Sequence, residues 1–146
     1  MSALADKLKE AKGCGVFKLI NSPEDILREA NRANLLVCRF DFADTKGKAD
    51  FLSTIAKALN FPDWFGYNWD ALEDCMTDLS WLDARGYVLL FENIRPFAES
   101  HPADFATALE VCNAVAEHWR NAATPLWVFI QGQQDWQPGL RRFQET

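Results

Sequence analysis

The chain has 146 residues, of which 49% are hydrophobic and 25% are charged, and this composition predicts a single globular domain over residues 1–146. Its 15 Lys and Arg against 21 Asp and Glu give a formal net charge of −6, which disfavours direct binding of nucleic acid because phosphates require a basic surface. No apolar run approaches the roughly 20 residues that cross a membrane, and the N-terminal stretch lacks the apolar core of a signal peptide, so we expect no membrane contact and a cytoplasmic location.

Residues 1–34 are predicted to form an N-terminal β-α extension. A short amphipathic helix over residues 2–12 precedes an apolar run at residues 16–20 that is typical of a short strand. Ser22 is a predicted N-cap, and Pro23 is the predicted first residue of a helix that continues to about residue 33. A segment of this length is too short to bury a core of its own, so we expect it to extend one edge of a larger sheet.

Strands and helices alternate through residues 35–131, which predicts a parallel sheet with right-handed crossovers. The first apolar run of this part, residues 35–40, is nearly continuous, and we expect it to be buried on both faces. The predicted fold class is α/β: a three-stranded parallel sheet with packed helices, extended by the N-terminal β-α unit. The predicted strands cover residues 35–40, 87–91 and 126–130, and the predicted helices cover residues 48–59, 69–79, 96–100 and 102–122.

Residues 132–146 form a polar C-terminal tail that still carries large apolar side chains. Trp136 and Phe143 indicate that this tail packs against the rest of the protein. Arg141 and Arg142 raise the hypothesis that the tail covers part of the acidic helix, defined below, when no partner is bound.

The four cysteines are far apart in the sequence and form no Cys-x-x-Cys pair. The cytoplasm keeps such thiols reduced, so we expect free thiols that are buried and no disulfide. The spacing also gives no zinc motif, and we predict neither a metal site nor a cofactor. The cysteines are Cys14, Cys38, Cys75 and Cys112.

Residues 61–68, here called the aromatic loop, combine loop-forming residues with large aromatic side chains. Pro62 disfavours helix before it, and Gly66 interrupts the run of larger residues. A large aromatic side chain in a loop needs a pocket or a binding partner, so this loop is a candidate contact surface. Its aromatic side chains include Phe61, Trp64, Phe65 and Tyr67.

Residues 69–79, here called the acidic helix, are predicted to be amphipathic with Asn68 as N-cap. Between residues 58 and 84 there are six acidic residues and no Lys or Arg, so this stretch carries a charge equal to that of the whole chain. Aromatic anchors beside an acidic face are typical of a surface that binds a basic protein. The predicted buried residues are Leu72, Cys75, Met76 and Leu79, and the predicted outer residues are Asp70, Glu73, Asp74, Thr77 and Asp78.

The pattern P-x-aromatic-aromatic-G-x-N-x-D-A-L-x-D-C-hydrophobic-T over residues 62–77 resembles the loop and helix of the barstar family, the intracellular protein inhibitors of barnase-type ribonucleases. The similarity extends over residues 35–131. It implies a binding protein without catalytic activity that blocks the active site of a basic ribonuclease or ribonuclease-type toxin. We expect the protein to be monomeric when free.

The resemblance assigns roles by position. Asp70 and Asp74 match the two interface aspartates, with Asp74 at the centre, and they would face the cationic groups that normally bind substrate phosphates. Trp64 matches a contact aromatic, Gly66 lets the backbone approach the enzyme, and Thr77 matches a contact threonine. The predicted partner-binding residues are Trp64, Phe65, Gly66, Tyr67, Asn68, Asp70, Glu73, Asp74, Thr77 and Asp78.

Three positions of the acidic helix depart from the family pattern. Glu73 stands where the family has an interface tryptophan, and Asp78 and Leu79 stand where it has a glycine and a second tryptophan. We expect Trp81 to substitute partly for the second tryptophan.

An alternative from a different functional class is a metal-dependent enzyme. Asp70, Glu73 and Asp74 share one helical face, and clusters of carboxylates bind Mg²⁺ or Ca²⁺. The chain has no second carboxylate motif, no phosphate-binding glycine loop and no Ser-His or Cys-His arrangement, so the binding interpretation is favoured. Glu92, at a predicted strand end, is expected to pair with Arg95 or with a helix N-terminus rather than to act in catalysis.

Overall fold

The computed structural model describes residues 3–20 and 22–144. Ser2 of the predicted first helix, Asn21 and the last two residues of the predicted tail lie outside the described residues. The strands are β1 (Val16–Leu19), β2 (Leu36–Asp41), β3 (Tyr87–Glu92) and β4 (Leu126–Gln131). The helices are α1 (Ala3–Lys9), α2 (Glu24–Arg32), α3 (Lys48–Ala58), α4 (Trp69–Asp78), α5 (Arg95–Ser100) and α6 (Pro102–Asn121), with a short 3-10 turn at Ala11–Gly13.

The four strands form one parallel sheet in the order β1-β4-β3-β2. This confirms the predicted α/β fold with a parallel sheet. The N-terminal extension contributes β1, which pairs with β4 at one edge of the sheet, so the sheet has four strands rather than three. The predicted helix after Ser22 begins one residue late, at Glu24, and the Ser22 hydroxyl accepts a hydrogen bond from the Glu24 amide at 3.4 Å.

The prediction that residues 35–40 are buried on both faces is wrong. Strand β2 lies at an edge of the sheet, and its residues Leu36, Val37 and Cys38 are only half-buried. The continuous apolar runs of β3 and β4 do mark central strands, since five of the six residues of each are buried. A run of apolar residues indicates that a strand is largely buried. Only the order of the strands in the sheet decides which strands have a neighbouring strand on both sides.

Alternate residues of the central strands face two separate cores. Along β3, Leu89 and Phe91 face the core shared with α3, α4 and α6, whereas Val88 and Leu90 face the core shared with α1 and α2. The connection from β1 to β2 crosses the sheet in one direction and the later connections return in the other. Because such crossovers are right-handed, the first helices and the later helices lie on opposite faces.

The C-terminal tail lies along the free edge of β1. The Lys18 amide donates to the Arg141 carbonyl at 2.8 Å, and the Phe143 amide donates to the Lys18 carbonyl at 2.9 Å. The Phe143 ring is buried in the core beneath α1 and α2, 4.8 Å from the ring of Phe129. The tail therefore covers backbone groups that an edge strand would otherwise expose.

The hypothesis that the tail arginines cover the acidic helix is wrong. The Arg141 guanidinium lies 5.1 Å from the centre of the Phe17 ring. The backbone of Arg142 pairs with that of Lys18 in β1 as an isolated β-bridge. Neither arginine forms a salt bridge within the described residues. The acidic helix packs with α6 on the other face of the sheet, so the tail does not reach it.

We predict that Phe143→Ala lowers the free energy of unfolding by about 3–5 kcal/mol, because it empties a buried aromatic site. Urea denaturation measures this change. Gln144→Ala removes an exposed side chain at the next position and should leave the free energy of unfolding nearly unchanged. Equal small effects of both substitutions would show that the tail is not docked in solution.

Candidate partner-binding surface

The start of the acidic helix, α4, is fixed by a side-chain cap. The Asn68 side-chain oxygen accepts a hydrogen bond from the Ala71 amide at 2.8 Å, and the Asn68 side-chain nitrogen donates to the Gly66 carbonyl at 3.3 Å. A Cβ atom at position 66 would lie 3.3 Å from that same nitrogen, so glycine leaves room for the cap. Asn68 therefore links the aromatic loop to the first turn of α4.

One face of α4 is completely buried, as its periodicity predicted. Leu72, Cys75 and Met76 have no exposed surface, and α4 packs against α6. The Trp119 indole N–H of α6 donates to the Met76 carbonyl at 2.8 Å. Burial, followed by the charges of Asp74 and Asp78, raises the pKa of the Cys75 thiol, which therefore remains a neutral core group at neutral pH.

The opposite face of α4 is acidic and unneutralised. Asp70, Glu73, Asp74 and Asp78 are all exposed, and none of them forms a salt bridge within residues 3–20 and 22–144. The Thr77 hydroxyl, which is half-buried, donates to the Glu73 carbonyl at 2.8 Å and so remains attached to the helix backbone. Asp70 lies at the N-terminus of α4, where the helix dipole favours a negative charge, whereas Asp78 lies at the unfavourable end.

The predicted contact aromatics of the aromatic loop differ in solvent exposure. Trp64 is 65% exposed and Tyr67 is 57% exposed, and they are the exposed large hydrophobic residues among those described. Phe65, which the sequence placed in the same contact set, is buried with 5% exposure. Two aromatic side chains therefore project from the loop next to the acidic face, while Phe65 supports the loop from inside.

Two residues outside this surface have contacts that differ from those expected. Glu92 accepts two hydrogen bonds from the Arg39 guanidinium on the neighbouring strand β2, at 2.8 and 2.6 Å, and not from Arg95. Trp81 is half-buried, and its indole N–H donates to the Leu59 carbonyl at 2.9 Å, so it lies at the base of the loop. The sequence did not predict that Arg39 pairs with Glu92, because only the pairing of β2 with β3 places the two residues side by side.

Among the described residues, which include Asp70, Glu73 and Asp74, no group of three or more His, Cys, Asp or Glu side chains is arranged to hold a metal ion. The same part of the chain contains no helix that is both long and apolar enough to cross a membrane. The four cysteines are free, and Cys38 is only half-buried.

The chain matches a known protein family. Residues 35–131 match the family model described as Barstar (barnase inhibitor). The matched residues contain the aromatic loop, α4 and strands β2, β3 and β4, and they exclude β1, α1, α2 and the C-terminal tail. No curated protein matches the chain.

We predict that Asn68→Ala lowers the free energy of unfolding by about 1 kcal/mol, the usual effect of removing a helix N-cap. Chemical denaturation monitored by circular dichroism measures it. Asn113→Ala, at an exposed position inside α6, is the matched control and should be neutral or slightly stabilising because alanine is the better helix former. A neutral Asn68→Ala variant would contradict the cap.

Proposed function

Because this chain belongs to the barstar family, whose members inhibit barnase-type ribonucleases, we propose that it binds a basic ribonuclease or ribonuclease-type toxin and blocks its active site. The binding surface is the aromatic loop together with the exposed face of α4. We further propose that residues 1–146 act as one domain, without catalytic activity of their own, as a monomer in the cytoplasm before the partner binds.

The observation that carries this proposal is the unpaired acidic face of α4. Its four exposed carboxylates gain no salt bridge in the described part of the free protein, and Asp70/Asp74 and Asp74/Asp78 are like-charge pairs one turn apart. Each such pair destabilises a helix by about 0.2–0.5 kcal/mol. A cationic partner would supply the missing counter-charges.

The active site of an enzyme that cleaves RNA must hold phosphate groups, and it does so with Arg, Lys and His side chains. Carboxylates on a rigid helix are able to occupy the positions of those phosphates and to accept the same hydrogen bonds. Asp74 lies in the middle of α4 and takes the central position, with Asp70 on the turn before it. Trp64 and Tyr67 provide aromatic contact area beside the charged pairs.

We predict that Asp74→Ala weakens inhibition of barnase by roughly 30-fold or more. Removing one member of a desolvated charge pair costs about 2–5 kcal/mol, a range that barnase–barstar complexes themselves helped to establish. The free energy of unfolding should not fall, because the substitution relieves repulsion with Asp70 and Asp78. Enzyme inhibition and urea denaturation provide the two measurements.

The matched control for this charge change is Glu10→Ala. Glu10 is exposed, has no salt bridge within the described residues, and lies in the N-terminal extension outside the matched family region. Its replacement changes the net charge equally and should leave inhibition intact. If Asp74→Ala and Glu10→Ala inhibited equally well, Asp74 would not be a contact residue.

We predict that association with barnase depends strongly on salt. Raising the ionic strength from about 0.01 to about 1 M shortens the screening length from about 30 to about 3 Å. The association rate constant should fall by about 10- to 1,000-fold while the dissociation rate constant changes much less. Stopped-flow fluorescence measures both, and an Asp70→Asn/Asp78→Asn double variant should show a weaker salt dependence. A salt-independent association rate would contradict electrostatic recognition.

A further inference from the structure

A chain of aromatic contacts runs from behind the aromatic loop to its exposed end. The Trp81 and Phe61 rings are 6.0 Å apart, the Phe61 and Phe65 rings 4.9 Å, and the Phe65 and Tyr67 rings 4.7 Å, each measured between ring centres. We call these four residues the aromatic ladder. Only Tyr67, the last member, is strongly exposed, so the ladder leads from the base of the loop to its outer surface.

The inner end of the ladder is anchored to α3. The Trp81 indole N–H donates to the carbonyl of Leu59, the C-cap residue of α3, at 2.9 Å, and the Phe61 amide donates to the Ala56 carbonyl at 2.9 Å. Trp81 follows α4 in the chain, whereas Leu59 precedes the loop. The Trp81–Leu59 hydrogen bond therefore joins the segments on either side of the loop and α4, and the Trp81–Phe61 ring contact joins the first loop residue to the segment after α4.

The outer end of the ladder has a strained backbone. Tyr67 has a φ of 51°, in the left-handed region that non-glycine residues rarely adopt. A conformation of this kind persists only where surrounding contacts maintain it. The contact of the Tyr67 ring with the buried Phe65 ring is such a contact.

The side of the aromatic loop that faces α3 borders an open cavity. A cavity of about 380 Å³ lies there, lined by Lys57 and Asn60 near the end of α3 and by Phe61, Phe65 and Tyr67 of the ladder. Within the loop, the Phe65 amide donates to the Pro62 carbonyl at 3.0 Å. Without the contacts of the aromatic ladder, the loop would have room to move into this cavity.

We propose that Trp81 and Phe61 are positioning residues that keep the aromatic loop in one conformation in the free protein, so that binding of the ribonuclease does not have to order it. Trp81 lies outside the contact surface proposed above, and Phe61, the half-buried first residue of the aromatic loop, is not among the predicted partner-binding residues. A loop that is already ordered avoids the entropic cost of ordering its backbone and side chains on binding. The order of the loop is a property of the free protein alone, and the effect of this order on affinity rests on the proposed function.

The test compares the free protein with the variants Trp81→Leu and Trp81→Phe by ¹⁵N relaxation. In the wild type, the amides of residues 63–67 should have order parameters of about 0.85, as in rigid backbone. In Trp81→Leu, which loses both the ring contact and the hydrogen bond, they should fall below about 0.6. Trp81→Phe keeps an aromatic ring without the indole N–H and should give intermediate values.

The matched control is Trp127→Phe. The Trp127 indole N–H also donates to a backbone carbonyl, that of Leu8, at 2.8 Å, but it lies in the core beneath α1 and α2. This substitution should lower thermal stability and leave the order of the aromatic loop unchanged. Phe61→Leu interrupts the same ladder at the next ring and replaces Trp81→Leu if that variant does not fold.

Titration with barnase measures the consequence for binding. If the loop adopts its binding conformation in only about a tenth of the Trp81→Leu molecules, the apparent Kd rises about tenfold. Unchanged order parameters in the folded Trp81 and Phe61 variants would overturn the proposal, as would a disordered loop that binds barnase with the wild-type Kd. If the wild type does not bind barnase, the proposed function fails in its stated form, and the relaxation data alone still decide whether the ladder orders the loop.

Discussion

The burial of the apolar face of α4 fixes the position of its acidic face. Leu72 and Met76 are fully buried, and the burial of side chains of this size contributes about 1.5–3 kcal/mol each. The repulsion between the aspartates on the outer face amounts to about 0.2–0.5 kcal/mol for each pair. The apolar contribution is several times larger, so the helix forms and stays attached to α6 despite its unfavourable charge pattern. The acidic face is therefore presented on a rigid element.

The described residues outside the matched family region leave this surface uncovered. Strand β1 and the C-terminal tail lie at the edge of the sheet furthest from β2, and α1 and α2 cover the face opposite to α4. Phe143 and Phe17 join the tail to β1 at a ring distance of 5.7 Å. These additions enlarge the core and close an exposed strand edge, while the loop and the acidic helix remain accessible to a partner.

Charge and shape have separate roles in the candidate surface. In the proposed complex the exposed carboxylates would raise the rate of encounter over distances comparable to the screening length, and Asp74 would also add affinity through a desolvated charge pair. Trp64 and Tyr67 would act only at contact, through the apolar area that a partner would bury. The aromatic ladder and the Asn68 cap connect the two, because they hold the loop beside the first turn of α4. A surface built in this way loses little conformational entropy when it binds.

The sequence by itself determined the features that depend on neighbours along the chain. The spacing of Leu72, Cys75 and Met76 predicted the buried face of α4, Asn68 predicted its start, and the alternation of strands and helices predicted a parallel sheet, because helix and strand periodicities are local properties. Only the tertiary structure decided that β2 is an edge strand, that Arg39 pairs with Glu92, and that the tail lies along β1. It also showed that Phe65 is buried whereas Trp64 and Tyr67 of the same loop are exposed. These contacts join residues that are distant in the chain or that lie in a loop without periodicity, so no local pattern specifies them.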